Sequence, residues 1–408
     1  MNSDNNSNGT PQLRFPGFTG EWEEKKFKDI TFPVGKKNKQ NFPYERYSIS
    51  NEVGFYPQSS QFEDGGGYLK DIDCRQYIIV PPKSFAYNPA RINVGSIGYQ
   101  NLGKDVIVSS LYEVFQAKEI CDDIFLWHWF HSGYFHKMVV DVQEGGVRQY
   151  FFYEKLKECS IYLPSLAEQE KIAACLSEMD ALIAAQWQKV EALKERKQGL
   201  MQQLFPRPGE TTPRLRFPGF KGAWEYPNGD ELFMPISNKN HNSDLPILAL
   251  TQDHGAVPRD LINYNVIVSD KSVAGYKVVE VDDFIISLRS FQGGIEYSRY
   301  KGLCSPAYIV LRKKDKDLCS DFYRIYFKSF NYIQDLNKNL EGIRDGKMIS
   351  YKQFSEIKLP KPSQAEQEII AACLSEMDNL IADETAELET LKAHKRGLMQ
   401  QLFPNPNK

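Results

Sequence analysis

Two arginines stand before glycine-containing loops: Arg91 in YNPARINVGSIG and Arg289 in ISLRSFQGG. A guanidinium carries donors in a rigid fork, the shape that matches guanine O6 and N7 in a DNA major groove. Other groups nearby suit the same ligand, since lysine and serine hold phosphate while asparagine and glutamine read adenine. In the stretch 31–160 these are Lys36, Lys37, Asn38 and Lys39, then Ser96, Tyr99, Gln100 and Asn101, then Ser109, Arg148 and Gln149. In 233–358 they are Asn238, Lys239 and Asn240, then Lys271, Lys277, Gln292, Ser305 and Arg344. Taken singly, each is as well explained by a solvated surface. Three recur in step and are the strongest candidates: Arg91 with Arg289, Ser109 of SSLYEV with Ser305 of SPAYIV, and Arg148 of GGVRQ with Arg344 of EGIRD. Gly95 and Gly98, and Gly293 and Gly294, permit loops that approach a backbone closely.

Catalytic groupings do not assemble. An amino-methyltransferase loop needs Asn or Asp before Pro-Pro, and the pair Pro81–Pro82 follows Val80. GYQNLGKD approaches a phosphate-binding loop, but Asp105 stands where Ser or Thr must ligate magnesium. His128, His131 and His136 lie among Trp127, Trp129, Phe130 and Phe135, as in a helix packing its aromatics, with no ligand partner at metal spacing.

The elements that must position the loops are written twice. AEQEKIAACLSEMDALI begins at Ala167 and returns as AEQEIIAACLSEMDNLI at Ala365; GLMQQLFP begins at Gly199 and at Gly397; LRFPGF begins at Leu13 and at Leu215. The intervening middles share only faint echoes, as one fold with two divergent surfaces would. Short β-rich runs between Gly, Asn and Pro breaks, and the apolar stretches DDIFLWHWFHSGYFHKMV and DFYRIYFKSFNYIQDL, predict a compact α+β domain in each. The near-identical segments predict long helices, opened by the capping boxes Ser165/Glu168 and Ser363/Glu366 and closed by Pro206 and Pro404. Boundaries follow at 11–164 and 207–362 for the globular parts and 165–206 and 363–404 for the helices.

Apolar residues along these helices recur in alternating steps of three and four, the seam of a coiled coil. It runs through Met179, Ile183, Gln186, Val190, Leu193, Lys197 and Leu200, and through Met377, Ile381, Glu384, Leu388, Leu391, Lys395 and Leu398. Ile172, Leu176, Ile370 and Leu374 precede it, positioned to pack on their own domains or on a partner. A parallel pair would set Lys197 against Lys395, so the seam predicts an antiparallel pair, in a register that matches Lys197 with Glu384 and Gln186 with Lys395. An amphipathic helix packed only on its own domain is the competing reading.

The bulk numbers set bounds. A chain of 408 residues with a net charge of −3 exerts no global pull on nucleic acid, so any such surface is local. No apolar run is long enough to span a membrane, and MNSDNNSNGT lacks the apolar region of a signal peptide. Seven scattered cysteines fit reduced thiols and a cytoplasmic setting.

The order domain, long helix, domain, long helix, with LRFPGF…W openings and AEQ…GLMQQLF helices, resembles the specificity subunits of Type I restriction–modification enzymes over nearly the whole chain. The resemblance implies two target recognition domains, each reading one half of a bipartite, asymmetric DNA site, on a spacer of conserved helices. It implies a non-catalytic subunit that docks two methyltransferase (modification) subunits and is joined by motor–nuclease (restriction) subunits. S-adenosylmethionine, ATP and magnesium would belong to those partners, with no cofactor or metal bound by this chain. A coiled-coil interaction adaptor without DNA specificity is the alternative.

Overall fold

The computed structural model describes residues 9–51, 54–61, 73–143, 150–262, 273–338 and 349–404. The chain divides into two compact units, Met1–Trp187 with Ala386–Lys408, and Gln188–Thr385. Each unit is α+β.

The first unit holds β1 (Glu23–Lys26), β2 (Thr31–Pro33), β3 (Lys36–Lys37), β4 (Tyr47–Ser50), β5 (Gly54–Pro57), β6 (Ile78–Val80), β7 (Ser84–Tyr87), β8 (Ile97–Tyr99), β9 (Val106–Val108), β10 (Glu113–Ala117) and β11 (Ser160–Leu163). Its main sheet is antiparallel, in the order β2-β10-β7-β8. Strand periodicity explains how one short strand serves two cores. Phe85 and Tyr87 of β7 join Phe27, Phe115 and Phe130, whereas Ala86 between them joins Val80, Val106 and Val114.

The second unit holds β12 (Phe233–Ile236), β13 (Leu248–Thr251), β14 (Gly255–Pro258), β15 (Lys277–Val279), β16 (Phe284–Ile286), β17 (Glu296–Tyr297), β18 (Gly302–Cys304) and β19 (Ile309–Lys313). Its main sheet has the order β12-β19-β16-β17, strand for strand the plan of the first. Phe284 and Ile286 again face the aromatic core, and Ile285 the smaller one. The divergent middles therefore share one fold. The predicted apolar helices form as Asp123–Phe130 with Gly133–Gln143, and as Ser320–Tyr326 with Phe330–Lys338.

The repeated segments become helices of 39 residues each, Leu166–Leu204 and Gln364–Leu402. In the first unit Ile172, Ala173 and Leu176 share a core with Met399, Leu402 and Phe403, and Lys395 pairs with Asp180. In the second, Leu204 and Phe205 share a core with Ile370, Ala371 and Leu374, Lys197 pairs with Asp378, and Lys189 meets Glu384 at 2.7 Å. Numbers rise along one helix as they fall along the other, so the pairing is antiparallel. Ile172, Leu176, Ile370 and Leu374 are buried in their own units. Every seam residue from Met179 to Leu200 and from Met377 to Leu398 is buried or half-buried, while off-seam Leu182, Trp187 and Leu380 are exposed.

The register differs from the one the seam suggested. Lys197 goes to Asp378 rather than Glu384, and Lys395 goes to Asp180 rather than resting at Gln186. The lysine stems lie along the seam and their ammonium groups leave it for carboxylates beside it, so matching seam residues only with each other misplaces the stagger. A charge reversal reads this directly. Lys197→Glu should destabilise the second unit by roughly 1 kcal/mol, and Asp378→Lys should restore it where Glu384→Lys does not. Urea unfolding of the single and double variants measures it.

The carboxylates of the expected capping boxes have another job. Glu168, its side chain only 2% exposed, accepts from Arg14 Nε at 2.7 Å and from a second guanidinium nitrogen at 2.8 Å. Glu366, equally buried, takes Arg216 at the same two distances. The next residue grips the globular part. Gln169 accepts from Asp122 N and donates to Ile120 O and Pro164 O; Gln367 accepts from Cys319 N and donates to Pro362 O. LRFPGF and AEQ are thus two halves of one latch, present once per unit. Leu13 N donates to Gln401 O and Leu215 N to Gln203 O, so the helix ends dock on the same segments.

Candidate nucleic-acid interface

Arg91 and Arg289 occupy the same place in the two folds. Each follows the strand that pairs with the sheet's long strand, β7 with β10 and β16 with β19. Their backbones nearly coincide, with φ −130° and ψ 7° at Arg91 and φ −117° and ψ 10° at Arg289. Each opens a single helical turn, Ile92–Val94 or Ser290–Gly293, and each turn ends on a glycine with positive φ, Gly95 at 82° or Gly294 at 80°. Both side chains are exposed.

The two loops are anchored by different chemistry. Asn88 Oδ1 accepts from Ala90 N ahead of Arg91, and Ser96 Oγ donates to Ile49 O behind it. Before Arg289, Ser287 N donates to Ser290 Oγ. After it, Lys328 Nζ donates to Gly293 O at 2.9 Å and meets Glu296 at 2.6 Å. Burial pushes the Glu296 carboxyl up from its ordinary value, against the pull of Lys328. Sequence reading missed Lys328 and Glu296, which lie far apart in the chain.

The other candidates separate into surface groups and interior ones. Lys36, Lys39, Asn101, Lys239, Asn240 and Gln292 are exposed, and so is Lys37, which bonds Gln76 at 2.8 Å. Gln292 shares the Arg289 turn, whereas Lys36 and Lys37 form β3, on the sheet β3-β6-β9. Ser96 is buried. Gln100 is buried too: its amide donates to Val80 O and Lys104 O and accepts from Leu102 N, so it braces a loop. Asn38 is buried and closes a turn on Phe42 through both amide atoms. Tyr99 donates to Asp123 at 2.7 Å, and Lys277 donates to Tyr308 O at 2.6 Å. Ser109 and Ser305 accept from Leu111 N and Ala307 N two residues on, which makes their echo a shared turn. Arg148, Gln149, Lys271 and Arg344 lie outside the described residues.

The groups weighed for catalysis are also placed. Gly98 and Tyr99 of GYQNLGKD belong to β8, and the Gln100 brace spans the rest. His128 contacts Ser177 Oγ at 3.1 Å; burial, and then Lys395, push it down to about 4, so it is neutral near pH 7. His131 contacts Trp127 O and His136 is exposed. Among the described residues no three His, Cys, Asp or Glu side chains group as a metal site, and no helix is long and apolar enough to cross a membrane.

The family pattern described as Type I restriction modification DNA specificity domain matches twice, over residues 19–195 and 234–393. The chain is similar to the Type I restriction enzyme MjaVIII specificity subunit of Methanocaldococcus jannaschii, 25% identical over 413 residues, covering 94% of this chain and 92% of that protein. It is also similar to the putative type I restriction enzyme MjaX specificity subunit of that organism, 28% identical over 262 residues. That match takes in 61% of this chain and only 59% of the relative's length. Two solved structures share the fold. One is a chain from work on complex assembly and conformational transition of the type I R-M system, at TM-score 0.58 and 17% identity, covering 97% of this chain and 100% of that one. The other is the Type-I restriction-modification system S subunit from M. genitalium, at TM-score 0.56 and 15% identity, covering 97% and 99%. With its doubled α+β fold, its long antiparallel helices and its two matches to one pattern, the chain belongs to the family of Type I restriction–modification DNA specificity subunits.

Proposed function

We propose that each unit reads one half of a bipartite, asymmetric DNA sequence, with Arg91 and Arg289 as the anchoring base contacts. The observation that carries this is one arginine in one backbone conformation on two folds of identical strand order, surrounded by side chains that differ. The repeated frame fixes the placement of the arginine, and the divergent neighbours set which base pairs lie beside it. Lys36, Lys37, Lys39 and Lys239 suit phosphate contacts, which hold register without reading sequence. The chain is non-catalytic in this reading. It acts in the cytoplasm with two methyltransferase subunits and with motor–nuclease subunits, which supply S-adenosylmethionine, ATP and magnesium.

Adenine-methylation mapping in cells carrying this chain and its methyltransferase tests the reading. Arg91→Ala should relax one half of the methylated motif and Arg289→Ala the other, each by roughly ten- to a hundred-fold in discrimination at one base pair. If both variants keep the wild-type motif and rate, the arginine assignment fails.

A further inference from the structure

Beside each arginine loop lies a hairpin that the repeated frame does not include. In the second unit, β13 and β14 pair with Thr251 opposite Gly255, and Gln252, Asp253 and His254 form the exposed tip. The tip is closed by its own groups: His254 N donates to Thr251 Oγ1, and Thr251 Oγ1 donates to Gly255 O. Gly255, at φ 71°, supplies the left-handed residue such a loop needs. Gln252 thus has no part in closing the turn, and its carboxamide has no hydrogen-bond partner among the described residues. It lies over the Arg289 turn, where a Cβ on Gly293 would fall 2.5 Å from Gln252 Nε2.

The first unit repeats the placement with a different chain. β4 and β5 pair with Ser50 opposite Gly54, at φ 68°, and the residue matching Gln252 is Asn51, also exposed and also without a partner among the described residues. This hairpin too is tied to the arginine loop: Ser96 Oγ bonds Ile49 O at 3.2 Å, and a Cβ on Gly54 would lie 3.7 Å from Gly98 Cα. In the second tip the carboxamide is followed by an exposed carboxylate, Asp253. An acidic tip does not track a phosphate backbone. A carboxamide that both donates and accepts fits adenine N7 and its 6-amino group.

We propose that these hairpin tips are a second base-reading element in each unit, with Gln252 and Asn51 as specificity-determining residues that contact an adenine next to the base pair met by Arg289 or Arg91. The proposal rests on the reading that the arginine loops meet DNA, and the test separates the two. Gln252→Ala, Gln252→Glu, Asn51→Ala and Arg289→Ala are each placed in the full chain with its methyltransferase. Methylation is then mapped genome-wide, with the thermal unfolding of each complex as the folding control. Gln252→Ala should lose roughly ten- to a hundred-fold in discrimination at one base pair of the half that Arg289→Ala relaxes, leaving the other half and the unfolding temperature unchanged. Asn51→Ala should do the same in the opposite half. Gln252→Glu keeps the side chain's size and removes its donor, so it should relax the same position even if the alanine variant folds poorly. A wild-type motif and rate in both Gln252 variants, while Arg289→Ala relaxes its half, overturns the hairpin and leaves the arginine reading standing. A uniform loss across all sequences also overturns it, because that marks a phosphate or folding role. A relaxed position in the Gln252 variants with an unchanged Arg289→Ala motif removes the arginine reading and, with it, the placement of Gln252 beside an arginine contact.

Discussion

Arg216→Ala should destabilise the second unit by about 3–5 kcal/mol, the range for stripping one partner from a buried ion pair. The Glu366 side chain is 2% exposed, so the substitution leaves a carboxylate inside the protein without its counter-charge. The guanidinium also donates to Gly222 O at 2.6 Å, so the FPGFKG turn loses its tie as well. Arg14→Ala should cost the first unit a similar amount, since Glu168 is as buried and Arg14 reaches Gly20 O in the same way. An exposed pair sets the contrast. Arg75–Asp73, with side chains 62% and 56% exposed, is screened by water, and its removal should leave the unfolding curve almost unmoved. Removing both charges together, as in Arg216→Met with Glu366→Gln, should recover most of the loss, because the penalty is the orphaned charge. Denaturant unfolding followed by a probe in each unit measures this, since two units need not unfold in one step. A loss under about 1 kcal/mol for Arg216→Ala, no more than an exposed pair is worth, would show that the latch is ornamental.

Gly294→Ala should disable reading by the second unit, and Gly95→Ala should leave reading by the first nearly intact. Both glycines end an arginine turn with almost the same φ, but Gly95, at ψ 17°, is left-handed and costs an alanine roughly 1 kcal/mol, whereas Gly294, at ψ −167°, sits in a region open essentially to glycine alone, where an alanine costs up to about 3 kcal/mol. Space separates them further. A Cβ on Gly294 would stand 2.0 Å from the carbonyl oxygen of Phe327, a fully buried core residue, whereas a Cβ on Gly95 meets nothing within 4 Å. The Phe327 backbone cannot withdraw without moving the ring that packs on Phe233, Phe284 and Tyr332, so the turn carrying Arg289 has to give way. The expected cost is about 3 kcal/mol or more, taken locally, with methylation at wild-type sites falling roughly a hundred-fold. Unfolding curves and methylation rates of the two variants provide the measurement. Equal behaviour of the pair would remove the steric explanation.

How much of this was legible in the sequence depended on the range of the forces involved. The doubled plan, the long helices and their antiparallel sense follow from periodicity and from the clash of Lys197 with Lys395, which need no tertiary information. The stagger of the helices did not follow, because Lys197 and Lys395 pair with Asp378 and Asp180 beside the seam rather than within it. The matched arginines were visible as a recurring residue before a glycine loop. Their neighbours were misjudged, since a polar residue type does not say which way it faces. Asn38, Ser96 and Gln100 have the chemistry of DNA readers, yet they are buried and serve the backbone of their own loops. The latch was misread as a cap because Glu168 follows Ser165 at capping distance, while its true partner, Arg14, lies 154 residues away.

The bond from Leu13 N to Gln401 O, beside that from Leu215 N to Gln203 O, bears on the order of the parts. In the second unit the helix end and the LRFPGF segment that it meets are joined by the short run 206–214; in the first, the same two pieces meet across a covalent gap. Each latch closes on the helix end of the other copy, so each compact unit takes its last element from the partner repeat, and neither repeat by itself supplies a whole unit.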